Sequence, residues 1–195
     1  MTESSEVQPS DDVELHPTLI VVSGQAGSGK TTLAHRLAAA IGCPAICRDE
    51  IKEGMVHAYG AGFVAATSDP LTMRTFPLFF DCVRLLLAGG VTVVAEAAFQ
   101  HTLWVQGLSP LREFAELRVV RCGTPDEVLV ERRHRRLAEV ATRSAHADSE
   151  ILHPQTSRDR LPAWDAIHLG VPTLDVDTTD EYRPGLDAIV DFVNS

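Results

Sequence analysis

Gly24-Gln25-Ala26-Gly27-Ser28-Gly29-Lys30-Thr31-Thr32 fits the pattern G-x-x-x-x-G-K-[ST] of a phosphate-binding P-loop. Its flanks are those the pattern needs. Thr18-Leu19-Ile20-Val21-Val22-Ser23 is an apolar, β-branched run that reads as a buried strand. Thr32 to Ala40 carries helix formers with apolar residues at helical spacing. Strand, glycine loop and helix in that order make a phosphate cradle. Gly24, Gly27 and Gly29 let the backbone bring its N–H groups against phosphate oxygens. The helix opening at the loop adds unpaired N–H groups and the positive end of its dipole. In this pattern Lys30 reaches the β- and γ-phosphates, and the Thr31 hydroxyl binds Mg²⁺. The loop from Gly24 to Thr32 is therefore expected to hold ATP with Mg²⁺. Only Lys30 and Lys52 occur beside 15 arginines, so a lysine-poor composition still supplies one at the phosphate position.

The 195 residues suit one α/β domain, and 45% hydrophobic content can fill a sizeable core. A net charge of −10 disfavours broad, non-specific nucleic-acid affinity. No apolar run reaches the roughly 20 residues of a membrane span, and no basic-then-apolar leader opens the sequence. Cys43, Cys47, Cys82 and Cys122 show neither C-x-x-C pairing nor His/Cys metal spacing. They read as buried free thiols in a reducing cytoplasm. The expectation is a cytoplasmic monomer or homodimer with no membrane partner.

Residues 1–16 are polar and acidic and read as a disordered tail, leaving 17–195 as the domain. Gly42 is placed to C-cap the first helix. Pro44-Ala45-Ile46-Cys47 is a short strand leading into Arg48-Asp49-Glu50-Ile51-Lys52, where Asp49 can cap a helix through Met55 and His57. Ser68-Asp69-Pro70 starts the next helix, with a cap and then proline. Leu71, Phe79, Val83, Leu86 and Leu87 form its apolar face. Val91 to Ala95 is a central strand with Glu96 at its C-terminal end. Leu117 to Cys122 is another strand, and Thr124-Pro125-Asp126-Glu127 reads as cap, N1 proline and acidic first turn of a helix to about Val140. Thr173 to Asp177 is the last strand and Pro184 to Val193 the closing helix. Alternating strands and helices imply a parallel sheet with helices on both faces. Ligands of such sheets bind at the C-terminal strand ends, where the loop, Asp49 and Glu96 all fall.

Asp49 can accept a proton from an attacking hydroxyl, or can merely cap its helix, in which case Glu50 is the substitute base. Arg48 either orients a substrate or lies on the surface. A carboxylate buried at Glu96 needs compensation, which Mg²⁺ would supply directly or through water. The alternative is a partly exposed strand-end acid. Glu131-Arg132-Arg133-His134-Arg135-Arg136, with Arg143, holds five of the 17 basic residues. Arg132, Arg135 and Arg136 share a helix face, and guanidinium forks suit phosphoryl oxygens. Arg132 and Arg136 are expected to neutralise a transferring phosphoryl group, with Arg143 behind them. Arg133 and Arg135 read as outward, and His134 as packed with Val130 and Leu137. Asp175 and Asp177 read as strand-end acids, and Trp104 as core. Trp164 can offer a stacking surface, while His146 and His153 lack ligand partners at recognisable spacing.

Taken together, these residues resemble the small P-loop kinases grouped as AAA_33-type or zeta-toxin-like ATP-binding proteins, a group that includes polynucleotide 5′-kinases and chloramphenicol phosphotransferase. The resemblance rests on Gly24–Thr32, Arg48-Asp49-Glu50-Ile51, the strand Val91–Glu96 with Ala97-Ala98-Phe99, the arginine helix Glu131–Arg136 and the closing Leu174-Asp175-Val176-Asp177-Thr178. It implies a P-loop NTPase fold, Asp49 as the base, and an arginine-rich LID at about 131–150 that closes over ATP. Glu96 departs from the aspartate that many P-loop enzymes carry there. No second region or arginine finger suggests a ring ATPase.

The function expected is an ATP-dependent kinase transferring the γ-phosphoryl group to a hydroxyl of a small molecule or nucleotide-type substrate. A nucleic-acid 5′ end is a further acceptor that would fit. Residues 52–75, rich in Gly and Ala with Tyr59 and Phe63, are the expected acceptor region. The rival expectation is a nucleotide-dependent switch or ATPase acting through a protein partner. GTP is disfavoured because no N-K-x-D sequence occurs.

Overall fold

The computed structural model describes residues 15–66, 69–139 and 164–195, with backbone alone for 101–103 and 136–139. The expected tail before residue 15, the side chain of Arg136, Arg143, the two histidines 146 and 153, and the LID beyond residue 139 lie outside that description.

Five strands, β1 (Thr18–Gly24), β2 (Ala45–Cys47), β3 (Val93–Glu96), β4 (Glu116–Gly123) and β5 (Thr173–Asp177), form one sheet in the order β2-β3-β1-β4-β5. Every pairing is parallel. The helices are α1 (Lys30–Ile41), α2 (Arg48–Tyr59), α3 (Pro70–Ala88), α4 (His101–Leu108), α5 (Asp126–Glu139) and α6 (Leu186–Asn194), with a 3₁₀ turn at Ser109–Glu113. A parallel sheet buries both faces, so its strands read as continuous apolar runs. Leu19, Val21, Val93, Ala95 and Val119 pack on one face against Phe79 and Val83 of α3 and Leu108 of α4. Ile20, Val22, Val94, Val120 and Val176 pack on the other against Leu33 and Leu37 of α1 and Ile189 of α6. Trp104 is a core residue as expected, in ring contact with Phe76, Phe79, Phe80 and Phe99.

Two expected caps are corrected. Helix α2 follows β2 without a linker, so Cys47 is the N-cap and Asp49 stands second in the helix. Asp49 is therefore not the capping residue. Thr124 does not immediately precede α5 either, since the helix begins at Asp126; its hydroxyl pairs with that of Thr179 at 3.0 Å. The Pro125 carbonyl instead accepts the Leu129 N–H. Gly42 does close α1, in a left-handed conformation at φ 74°.

The second lysine has a structural task. Lys52 of α2 and Asp69, the N-cap of α3, are both buried and paired at 2.8 Å. Asp69 also accepts from the Thr72 N–H at 2.8 Å and the Thr72 hydroxyl at 2.9 Å. This pin fastens α2, and with it Asp49, to the start of α3. Burial would raise the Asp69 pKa, but bonds from Lys52 and Thr72 outweigh it and hold the carboxyl well below the usual carboxylate range. A carboxylate depressed in this way contributes stability above its unfolded pKa of about 3.9 and loses it as pH falls toward the folded value. Asp69→Ala leaves a buried ammonium unpaired, and is expected to lower the unfolding free energy by about 3–5 kcal/mol at neutral pH. Urea titrations should show the difference from the parent shrinking as pH drops below about 4.

Candidate functional site

The glycine loop spans the end of β1 and the start of α1. Gly27 has φ +93° and Gly29, the N-cap of α1, has φ +77°, a region where side chains are strained. At Gly27 there is also no space: a Cβ would lie 2.9 Å from the Leu129 carbonyl oxygen of α5. The loop can present its amides inward only if its carbonyls turn outward and find donors there. They do. Arg133 Nε donates to the Ala26 carbonyl at 2.7 Å, Arg132 Nη1 to Gly27 at 3.4 Å, and the Thr178 hydroxyl to Ser28 at 2.6 Å. Arg132 Nη2 also donates to the carbonyls of Thr178 and Thr179, at 2.7 and 2.5 Å.

Inside this collar, Lys30 is buried with Nζ 3.5 Å from Glu96 Oε1. The Thr31 hydroxyl donates to Glu96 Oε2 at 3.0 Å. Glu96 is only 1% exposed, which removes the reading of a partly exposed strand-end acid. One long ion pair occupies at most one of the three ammonium donors of Lys30. An ammonium, a hydroxyl and a carboxylate gathered beneath a helix N-terminus fit a polyphosphate and the hard cation it carries.

Asp49 stands in the first turn of α2, two residues after Cys47, which is in register with Glu96. Its side chain is 35% exposed and accepts from Arg48 Nη1 at 3.0 Å. Arg48 is thus held by its neighbour rather than lying loose on the surface.

Two clefts flank the loop. One, of about 640 Å³, is bordered by Gly29, Thr32 and Arg36 of the loop and α1, by Arg132 and Arg135 of α5, and by Thr178 and Tyr182 after β5. The other, of about 680 Å³, is lined by Gln25, Arg121, Leu129, Trp164, Asp175 and Arg183, among others. Arg121 grips Asp175 bidentately there, at 2.6 and 2.7 Å. This pairing raises the Arg121 pKa and lowers that of Asp175. Asp177 turns to the Thr179 amide and hydroxyl at 2.8 and 2.6 Å. Trp164 lines this cleft.

The arginine helix is rotated from its expected setting. Among its described side chains Leu129 is the buried one, Arg132 and Arg133 both reach the loop, and His134 is exposed. Arg133 is not outward because Ala26 and Gly27 need donors on that side. Sequence reasoning also missed Thr178 as a loop partner. Its one signal was its place after a strand two positions from the loop strand, which becomes visible only with the strand order known.

A family model described as an AAA domain, AAA_33, matches residues 19–162. The chain belongs to this family. Among solved structures, this AAA_33 protein is similar to a candidate kinase from Chloroflexus aurantiacus, with 29% identity, TM-score 0.72, and coverage of 91% of this chain and 97% of that one. It shares its fold with Kti12 of Chaetomium thermophilum in complex with ADP-AlF3, at 19% identity and TM-score 0.59 over 91% and 99% of the two chains. The APS kinase of Mycobacterium tuberculosis in complex with AMPPNP and APS is similar at 17% identity and TM-score 0.57, over 93% and 99%. A search of the curated proteins found no match by sequence. The expected P-loop NTPase fold and the resemblance to small P-loop kinases are thus borne out for this AAA_33 chain. Among its described residues, no helix is long and apolar enough to cross a membrane.

The loop's close fit against α5 has a measurable consequence. Gly27→Ala drives a methyl group into the Leu129 carbonyl at a positive φ, and should weaken binding of a non-hydrolysable ATP analogue by at least about tenfold. Gly54→Ala, on α2 with open space around it, should leave binding unchanged and stabilise the fold by about 0.5–1 kcal/mol. Isothermal titration calorimetry and thermal melts of the two variants distinguish these effects.

Proposed function

We propose that this protein is an ATP-dependent kinase that transfers the γ-phosphoryl group to a hydroxyl of a small molecule. The observation that carries the reading is the Lys30–Glu96–Thr31 group at the N-terminus of α1, with Lys30 and Glu96 buried, beside a β2 strand that pairs with β3 and leads directly into the turn of α2 carrying Asp49. The 29% identity to a candidate kinase over nearly the whole of both chains supports the reaction class. Chains of the same fold holding AMPPNP or ADP-AlF3 support the nucleotide.

In this reading the amides of residues 24–32 and the Lys30 ammonium hold the β- and γ-phosphates. Thr31 and Glu96 would hold Mg²⁺, which neutralises phosphate charge when bound. The nucleoside end occupies the cleft between Arg36, Arg132 and Tyr182. Asp49 orients the acceptor hydroxyl and takes its proton as the oxygen bonds to the γ-phosphorus and the bond to the β–γ bridging oxygen breaks. ADP and the phosphorylated acceptor leave. Arg132 acts first as a positioning residue, because it holds the Gly27 carbonyl and the Thr178–Thr179 turn together. It then lends positive charge to the cleft, with Arg136 assigned beside it on the same helix. The net charge of −10 favours a small acceptor over a nucleic-acid 5′ end, and a cytoplasmic site of action fits the free thiols.

The test is a screen of sugars, antibiotics, other hydroxyl metabolites and oligonucleotide 5′ ends for an ATP-dependent mass gain of one phosphate. For the acceptor found, Lys30→Ala is expected to lower kcat/KM by at least about 10³-fold, the scale of losing a preorganised charge contact at transferring phosphate. Asp49→Asn is expected to keep ATP-analogue affinity within about twofold while cutting transfer by about 10²–10⁴-fold. ATP hydrolysis indifferent to every acceptor would return the chain to a switch or ATPase reading.

A further inference from the structure

The sequence shows no metal-binding spacing among its cysteines and histidines, yet the fold assembles a mixed donor set outside the phosphate group. His35 of α1, Cys47 at the end of β2 and Glu50 of α2 place one ligand atom each within 4.8 Å of the others. His35 Nε2 lies 2.7 Å from Glu50 Oε1 and 3.7 Å from Cys47 Sγ. We propose that His35, Cys47 and Glu50 form a site for a divalent transition metal of the zinc type, distinct from the hard-cation position at Thr31 and Glu96.

The donor chemistry selects the ion. One imidazole nitrogen, one thiolate sulfur and one carboxylate oxygen suit Zn²⁺ or Co²⁺, whereas Mg²⁺ and Ca²⁺ take oxygen. The spacing agrees. Bond lengths of about 2.3 Å to sulfur and about 2.0 Å to nitrogen or oxygen put tetrahedral neighbours about 3.3–3.6 Å apart. The sulfur–nitrogen distance already matches. The nitrogen–oxygen contact, now a hydrogen bond, needs to open by about half an ångström once an ion replaces the shared proton. His35 and Glu50 have side chains 50% and 47% exposed, giving an entry path and room for water as a fourth ligand. Cys47 is buried, and burial, then the carboxylates of Glu96 and Glu50, push its thiol pKa up. The same carboxylates favour a cation at the sulfur, and binding sends the thiol proton to solvent.

The position gives the site a consequence. His35 stands one helical turn after Thr31 on α1, and Cys47 is in register with Glu96 across the β2–β3 pairing. An ion here ties the first turn of α2, which carries Asp49, to the helix that begins at the loop. This inference does not depend on the kinase reading, since it concerns binding alone.

The full chain is titrated with Co²⁺ and with Zn²⁺ in excess Mg²⁺, which occupies hard-cation positions. The expected result is one ion per chain at micromolar concentration, a thiolate-to-cobalt charge-transfer band in the near ultraviolet, and a melting temperature that rises with Zn²⁺. His35→Gln, an exposed position that should not endanger folding, is expected to weaken binding by at least about 100-fold and abolish the zinc-dependent melting shift, exceeding the usual loss for an outer-shell partner. Cys47→Ser should remove the charge-transfer band, while Cys43→Ser/Cys82→Ser keeps it. No saturable binding below millimolar ion overturns the proposal and leaves His35–Glu50 a plain ion pair. So does a one-ion complex that His35→Gln leaves intact, or a cobalt spectrum without a sulfur band.

Discussion

A loop that offers its amides to an anion must dispose of its carbonyls, and this constraint organises the structure around the P-loop. The carbonyls of Ala26, Gly27 and Ser28 each receive a side-chain donor. Arg133, Arg132 and Thr178 supply those donors from more than a hundred residues away in the chain. The Ser28 bond is buried, and leaving that carbonyl unpaired would cost about 1–3 kcal/mol. The arginine helix and the segment after β5 therefore brace the glycine loop.

Glu96 plays the corresponding part beneath the loop. A carboxylate at the end of a fully buried strand survives there because Lys30 and Thr31 lie against it. It fixes the first two side chains of α1 before any ligand arrives, so little ordering remains to be done when phosphate binds. The Lys52–Asp69 pin fastens α2, whose first turn carries Asp49, to the start of α3. Both lysines of the chain thus end in buried pairs with an acid, one under the phosphate position and one between helices.

The points where sequence reading erred each have a structural cause. Asp49 looked like a cap because aspartate after a strand often is one, but β2 runs straight into α2 and the cap position falls on Cys47. Thr124 looked like a cap because a threonine before proline often is one, yet α5 begins only at Asp126 and the Thr124 hydroxyl pairs with that of Thr179 from another part of the chain. Helical spacing alone put His134 on the packed side and Arg133 outside. The outward-facing carbonyls of the loop reversed that choice. At Asp49 the early start of the helix decided; at Thr124 and Arg133 the side chain met a partner remote in sequence.

Local chemistry was sufficient for much of the design. The run from Thr18 to Thr32 specified strand, glycine loop and helix, because β-branched burial, positive φ and helix propensity act over a few residues each. Alternating elements specified the parallel sheet, and the glycines, Lys30, Thr31 and Glu96 were legible at its strand ends. Tertiary structure alone decided which distant groups complete the site: the arginines and threonine on the loop carbonyls, the acid that pairs with each lysine, and the meeting of His35, Cys47 and Glu50. Those contacts depend on strand order and helix rotation, which are set by packing on both faces of the sheet at once and have no signature in any short window of sequence.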